Sequence, residues 1–311
     1  MSYAAKIKVV GVGGAGANAV SRMVAAKIQG VDLAIINCDA QDLQKAKATQ
    51  KLRIGRELTK GLGAGMNPEV GRMAAEENKE EIAQLLSGTD MVFVTCGLGG
   101  GTGTGAAPIV AEVAKGLGAL VVGVATTPFS FEGSYRAQVA KKGLEILKTK
   151  VDTLLTIPND KVLSQGSKGK SLVEAFWACD EVLRQAVQGI TDLILLPGII
   201  NVDFAGVKTI MKDSGSALFG MGKARGERRV ETAVSLAINS SLLNFSIKGA
   251  KGVLFNISGG DDLSLNEINE AAQIITEQAD PRAKIIFGAV NDKKMPKGEL
   301  KITVIATGFE K

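Results

Sequence analysis

Two glycine-rich segments carry the most chemistry in this sequence. Gly11-Val-Gly-Gly-Ala-Gly16 fits the spacing G-x-G-x-x-G between an apolar run and a helical pattern. Glycines there let the backbone approach a phosphate, and amides at a helix N-terminus stabilise its charge. A dinucleotide-binding turn has the same spacing, with Asp32 or Asp39 as the acid about 20 residues on. So does a tight turn that binds nothing. The second segment, Gly97-Leu-Gly-Gly-Gly-Thr-Gly-Thr-Gly105, also follows an apolar run. Its glycines and interleaved hydroxyls present a row of backbone N–H groups, an anion-binding nest suited to a triphosphate. A flexible linker has a similar composition, but linkers do not sit between a buried strand and an amphipathic helix. A dinucleotide enzyme has no need of a second phosphate cradle. A third segment, Gly166-Ser-Lys-Gly-Lys-Ser171, imitates the end of a G-x-x-x-x-G-K-[ST] loop. Its first glycine would fall at Ser164, so the spacing fails and a solvated turn is expected.

Composition narrows the chemistry further. The 311 residues contain no histidine, which excludes a Ser-His-Asp hydrolase and a His-ligated zinc site. Acid–base work then falls to carboxylates, water or a nucleotide-bound metal. The net charge of +5 is mild, and Lys45, Lys47 and Lys51 are scattered among acids, so no nucleic-acid groove is expected. No apolar run approaches the roughly 18 to 20 residues that a membrane helix needs. The start, MSYAAKIKVVGVGG, leaves no room for a signal peptide. Cys38, Cys96 and Cys179 are far apart and odd in number, which suggests free thiols in a reducing compartment. A cytoplasmic protein is expected.

The elements that must position these loops alternate as in βαβ units. Strand-like runs at 7–12, 32–37, 90–96, 119–126 and 152–158 are separated by helical patterns at about 16–28, 69–86 and 107–117, with a further helix before 152. That is the pattern of a parallel sheet in an α/β fold. Residues 171–195 run without a proline and carry apolar residues on more than one side, which predicts a long, largely buried helix. Beyond it the texture changes. Strands at 252–258, 283–290 and 301–309 and a helix at 265–279 suggest a smaller α+β domain. The expected division is 1–170, a central helix 171–198, and 199–311.

GGGTGTG at 99–105 is the tubulin signature, and the whole chain resembles the tubulin/FtsZ superfamily, within it the FtsZ family of bacterial cell-division proteins. GLGAGMNPEVGRMAAEE (61–77), VATTPFSFEG (124–133), TIPND (156–160) and NVDFAGV (201–207) follow in the order seen in that family, as do GVLFNISGGDDLSLNEINEAAQII and IIFGAV.

The resemblance implies a Rossmann-like GTP-binding domain, a core helix and a C-terminal domain that meets the next subunit. Gly14, Ala15, Gly16 and Asn18 match the family's first phosphate loop, and Ala64, Gly65 and Met66 the loop that senses the γ-phosphate. Gly101, Thr102 and Gly103 match the phosphate contacts of the signature, and Glu132 and Arg136 the ribose and phosphate positions. Phe176 and Asp180 match the residues that stack on guanine and hydrogen-bond its edge. From the residues alone, core packing of Phe176 and a solvent-facing Asp180 stand as alternatives.

GTP/GDP is the implied ligand, with Mg²⁺ carried by the phosphates, and the implied partner is a second copy in a head-to-tail filament. Asn201 and Asp203 match the loop that completes the neighbour's active site. The family reads D-F-A-D there, and this chain reads Asp203-Phe-Ala-Gly206, so a second acid is missing and hydrolysis is expected to be impaired. A nucleotide-bound filament protein without turnover is the runner-up reading, and a dinucleotide oxidoreductase a distant third. The family acts at the mid-cell division site through membrane adaptors. The sequence stops at Lys311, before the linker and terminal peptide that bind them.

Overall fold

A computed structural model describes residues 5–164, 171–196, 198–239, 247–293 and 295–309, without the side chains of Ser164 and Leu172. Residues 166–170 of the lysine-rich turn, and the two ends of the chain, lie outside the described residues. Contacts divide the chain into two units, Met1–Gln188 and Gly189–Lys311.

In the first unit, β1 (Ile7–Val12), β2 (Val31–Asn37), β3 (Gln50–Arg53), β4 (Met91–Gly97), β5 (Leu120–Thr127) and β6 (Thr153–Pro158) all run parallel, in the order β3-β2-β1-β4-β5-β6. The strands read as near-continuous apolar runs because helices cover both faces. The connecting helices are α1 (Gly13–Ala25), α2 (Ala40–Lys45), α3 (Arg56–Thr59), α4 (Pro68–Glu77), α5 (Lys79–Leu86), α6 (Thr102–Gly116), α7 (Ser134–Lys150) and α8 (Asn159–Ser164). Val10, Val12, Ile36, Val92 and Val94 are fully buried between them and centre the core. α9 (Leu172–Leu195) carries the chain onward, and the division between the units falls inside it.

Two helices differ from their sequence patterns. The pattern at 69–86 is one helix by periodicity, but it breaks at Asn78, whose φ/ψ of −111°/25° ends α4. The buried Asn78 side chain accepts from the Gly55 N–H at 2.8 Å and donates to Glu81 at 2.6 Å. A side chain that satisfies neighbouring backbone in this way competes with the helix ladder. α6 starts at Thr102 rather than 107, so half of the glycine-rich segment is the first turn of a helix. Glycine is tolerated there because the backbone is crowded: a Cβ on Gly103 would stand 2.5 Å from the Gly97 carbonyl, and one on Gly105 would overlap that of Pro68.

The second unit holds α10 (Phe204–Met211), β7 (Gly215–Arg225), α11 (Arg229–Ile238), β8 (Gly252–Gly259), α12 (Leu265–Gln278), β9 (Lys284–Asn291) and β10 (Glu299–Thr307). Its strands lie in the order β7-β10-β8-β9, with β10 antiparallel to β7 and β8, and β9 parallel to β8. The buried Arg229 ties this unit together. It donates to Glu267 at 2.6 and 3.0 Å and to the Asp262 carboxylate at 2.7 Å. Its guanidinium holds both carboxyls below the usual range.

Candidate functional site

The strand order of the first unit reverses at β1, with β2 on one side and β4 on the other. Chain connections there diverge to opposite sides of the sheet and leave a crevice at the carboxyl ends of β1 and β4. Both glycine segments open into it. Val12 hands the chain to Gly13 at φ +73°, a left-handed conformation that glycine adopts without a Cβ penalty. A Cβ on Gly13 would lie 2.8 Å from the Gly103 nitrogen, so the two turns touch backbone to backbone. α1 and α6 both begin without a side-chain cap and without an acid in the first turn. Uncapped N–H groups at two helix N-termini, facing one cleft, make a site for an anionic ligand.

The glycines of the first motif divide their work. Gly11 and Gly16 pack helix on strand: a Cβ on Gly16 would stand 2.5 Å from the Thr95 carbonyl. Gly14 and Ala15 line the cleft. Gly16 is buried and Asn18 exposed, and neither belongs to the wall. Asp32 sits in register with Lys8 near the start of β2, far along the strand from the turn at its other end. Asp39 caps α2 through the N–H groups of Gln41 and Asp42. The dinucleotide reading therefore loses Asp32 by position.

A third loop closes another side. Lys60, Gly61, Gly63, Gly65 and Met66 all have positive φ. Ala64 and Gly65 reach the cleft, while Met66 is 45% exposed and stands outside its wall. A Cβ on Gly101 would lie 2.7 Å from that of Ala64 and 3.0 Å from the Asn67 nitrogen, so this loop rests on the signature segment. Gly101, Thr102 and Gly103 line the cleft, whose volume is about 340 Å³.

Glu132, Arg136, Phe176 and Asp180 line the same cleft. Glu132 pairs with Arg136 and accepts from the Phe129 N–H at 2.9 Å. Phe176 is not a core residue: it is 40% exposed and meets the buried Phe129 edge-on, with ring centroids 5.1 Å apart. Nor does Asp180 face solvent. Its side chain is 13% exposed and accepts from Arg22 Nε at 2.8 Å. Burial pushes its carboxyl up and Arg22 opposes that. The neighbouring Cys179 thiol is pushed up to about 12 by burial and by the charges of Asp180, Glu132 and Asp160.

Three further side chains bear on the site: Arg22 through Asp180, and Asn37 and Asn159, the latter within TIPND, in the wall itself. Asn37 Nδ2, Asn159 Oδ1 and Arg136 Nε are buried in the wall without a hydrogen-bond partner. Unpartnered buried polar atoms are rare in a native fold and fit a polar ligand.

In the second unit, Asn201 and Asp203 are both exposed, and each has an oxygen engaged locally. Asn201 Oδ1 accepts from the Gly198 N–H, and Asp203 Oδ1 caps α10 by accepting from the Gly206 N–H, both at 2.7 Å. A Cβ on Gly206 would lie 2.7 Å from that Asp203 oxygen and 3.0 Å from Ile286.

The profile of the Tubulin/FtsZ family GTPase domain matches residues 6–167, and that of the FtsZ family C-terminal domain matches residues 215–310. An FtsZ dimer from M. jannaschii, solved empty, is 47% identical, with a TM-score of 0.93 over 98% of this chain and 89% of that one. The chain belongs to the tubulin/FtsZ family. An FtsZ W319Y mutant from the same organism matches at the same identity and TM-score, covering 98% of this chain and 92% of that one. CetZ2 from Haloferax volcanii, solved as a GTPγS-bound protofilament, shares the fold at 23% identity, with a TM-score of 0.82 over 98% of this chain and 94% of that one. The chain is thus a member of a GTPase family of cytoskeletal proteins.

Proposed function

We propose that the first unit binds GTP in this cleft and that copies of the chain join head to tail into filaments. The cleft itself supports the reading most: two uncapped helix N-termini, a partly exposed aromatic ring and a half-buried carboxylate line it together. Gly14 and Ala15 on α1, with Gly101, Thr102 and Gly103 on α6, would hold the phosphates. Phe176 would stack on the base, and Asp180 would accept from guanine N1–H and the exocyclic amine. Mg²⁺ is carried by the phosphates in this reading.

The roles divide as a GTP-binding domain (1–170), a core helix (171–198) and an assembly domain (199–311). The loop 201–207 reaches the neighbour's nucleotide, where Asp203 and Asn201 position the attacking water. Hydrolysis of this kind needs positioning and charge stabilisation rather than covalent help from the protein. With glycine at 206, turnover is slow. A filament that binds nucleotide and hardly hydrolyses it is the second reading, favoured by the commitment of Asp203 to a helix cap. The setting in this reading is the cytoplasm, at the mid-cell division site. Among the described residues no helix is long and apolar enough to cross a membrane.

Asp180→Ala tests the base site. Losing a hydrogen bond to a charged group costs about 1.5–3 kcal/mol, roughly ten- to a hundredfold in GTP affinity. ATP affinity should hardly change. Titration of a fluorescent nucleotide reads both, and an unaltered GTP affinity would remove Asp180 from the site.

A further inference from the structure

Arg22 belongs to no motif and does not itself line the cleft, yet it holds Asp180, which does. Its Nε donates to Asp180 Oδ2 at 2.8 Å. Its guanidinium carbon lies 4.8 Å from the centroid of the Trp177 ring. Trp177 and Asp180 are three residues apart on α9, so ring and carboxylate share one face of the helix and take Arg22 between them. Trp177 is 53% exposed, and its ring serves Arg22 rather than the core. The rival acid is already occupied. Glu181 is held by Arg184 at 2.6 and 2.8 Å and by Gln185 at 2.9 Å.

We infer that Arg22, clamped between Trp177 and Asp180, is a positioning residue that sets guanine specificity by keeping Asp180 ionised and fixing which way its oxygens point. The inference rests on the base-site reading above and deepens it. Each carboxylate oxygen has room for more than one donor, so the Arg22 bond to Oδ2 leaves acceptor sites for a purine edge. Only the ionised acid accepts from both guanine donors. A protonated Asp180 presents an O–H that suits the adenine N1 acceptor equally well, and discrimination collapses. Burial favours that protonated form. The charged groups around the site are Arg22 from α1, Glu181 and Arg184 on α9, Glu132 from the turn before α7, Arg136 on α7, which pairs with Glu132, and Asp160 from α8. Arg22 is the cation that touches Asp180. The Cys179 thiol stays neutral across the working range.

The test is the pH profile of GTP and ATP affinity between about pH 4 and 9, starting near the free aspartate value, for the intact chain, Arg22→Met and Arg22→Lys. The intact chain should prefer GTP and lose that preference on an acid limb. In Arg22→Met the limb should move up by about one to three pH units, the shift an adjacent opposite charge supplies. In Arg22→Lys it should stay near its original position. Parallel profiles for the intact chain and Arg22→Met would overturn the inference, and so would a limb that moves equally in Arg22→Lys. No preference for GTP in the intact chain at the alkaline end would instead defeat the base-site reading itself.

Discussion

Gly206→Asp is expected to raise GTP turnover per subunit by about 10² to 10⁴, the usual contribution of a positioned general base. In this chain Asp203 Oδ1 is bound at 2.7 Å by the N–H of Gly206. The carboxylate that should reach a neighbour's nucleotide is thereby engaged in starting its own helix. A side chain at 206 changes both terms at once. Its Cβ would come 2.7 Å from that oxygen, so Asp203 must turn away or Ile286 must give. An acid at this third position of α10 can itself satisfy the helix start, as in a capping box. Gly206→Ala separates the two effects, because it crowds Asp203 without adding an acid. A gain with aspartate alone assigns the missing catalytic group. An equal gain with alanine places the benefit in the release of Asp203. Equal and brisk turnover in all three, at equal polymer mass, would show that the catalytic acid lies elsewhere. GTP binding should be unchanged throughout, because the phosphate loops belong to the first unit.

Phe204→Glu should abolish sedimentable polymer while leaving the fold intact. Phe204 is the first residue of α10 and only half-buried, so its ring is not part of the core. A carboxylate in the first turn of a helix interacts favourably with the macrodipole, by about 0.3–1 kcal/mol. Local stability therefore argues for tolerance. At a filament contact the same charge would be desolvated without a partner, which costs far more than a marginal self-association supplies. The measurement is high-speed sedimentation with GTP beside a thermal melt. Polymer equal to that of the unmodified chain would contradict the assignment of residues 201–207 to the interface.

The parallel sheet was legible because its strands are uninterrupted apolar runs between glycine turns, as at 7–12 and 90–96. Other elements were hidden by residues whose role is tertiary. β7 carries Gly215, Gly220 and Gly222, and in sequence such a stretch does not read as a strand. In the fold, Cβ atoms at 220 and 222 would overlap the carbonyls of Ala237 and Ala233, so the glycines let α11 lie flat on β7. α10 and α11 escaped notice for lack of length. In the cleft, the glycine loops, Phe176 and Asp180 were visible through spacing and resemblance. Arg22 and Asn37 were not, because an arginine in mid-helix and an asparagine at a strand end carry no local signal, and Asn159 sits within TIPND without its spacing marking a role. They are recognised only when the fold brings Arg22 to Asp180 and leaves the two asparagines in the cleft wall.

Displacement of a bound fluorescent GTP from the unmodified chain tests most directly whether the cleft is built for guanine. A site that hydrogen-bonds a base edge through a buried carboxylate rejects a base lacking those donors strongly. GTP and GDP should therefore compete at concentrations at least about a hundredfold below those needed for ATP, since even two such bonds supply that ratio. ATP displacing the probe as well as GTP does would contradict it.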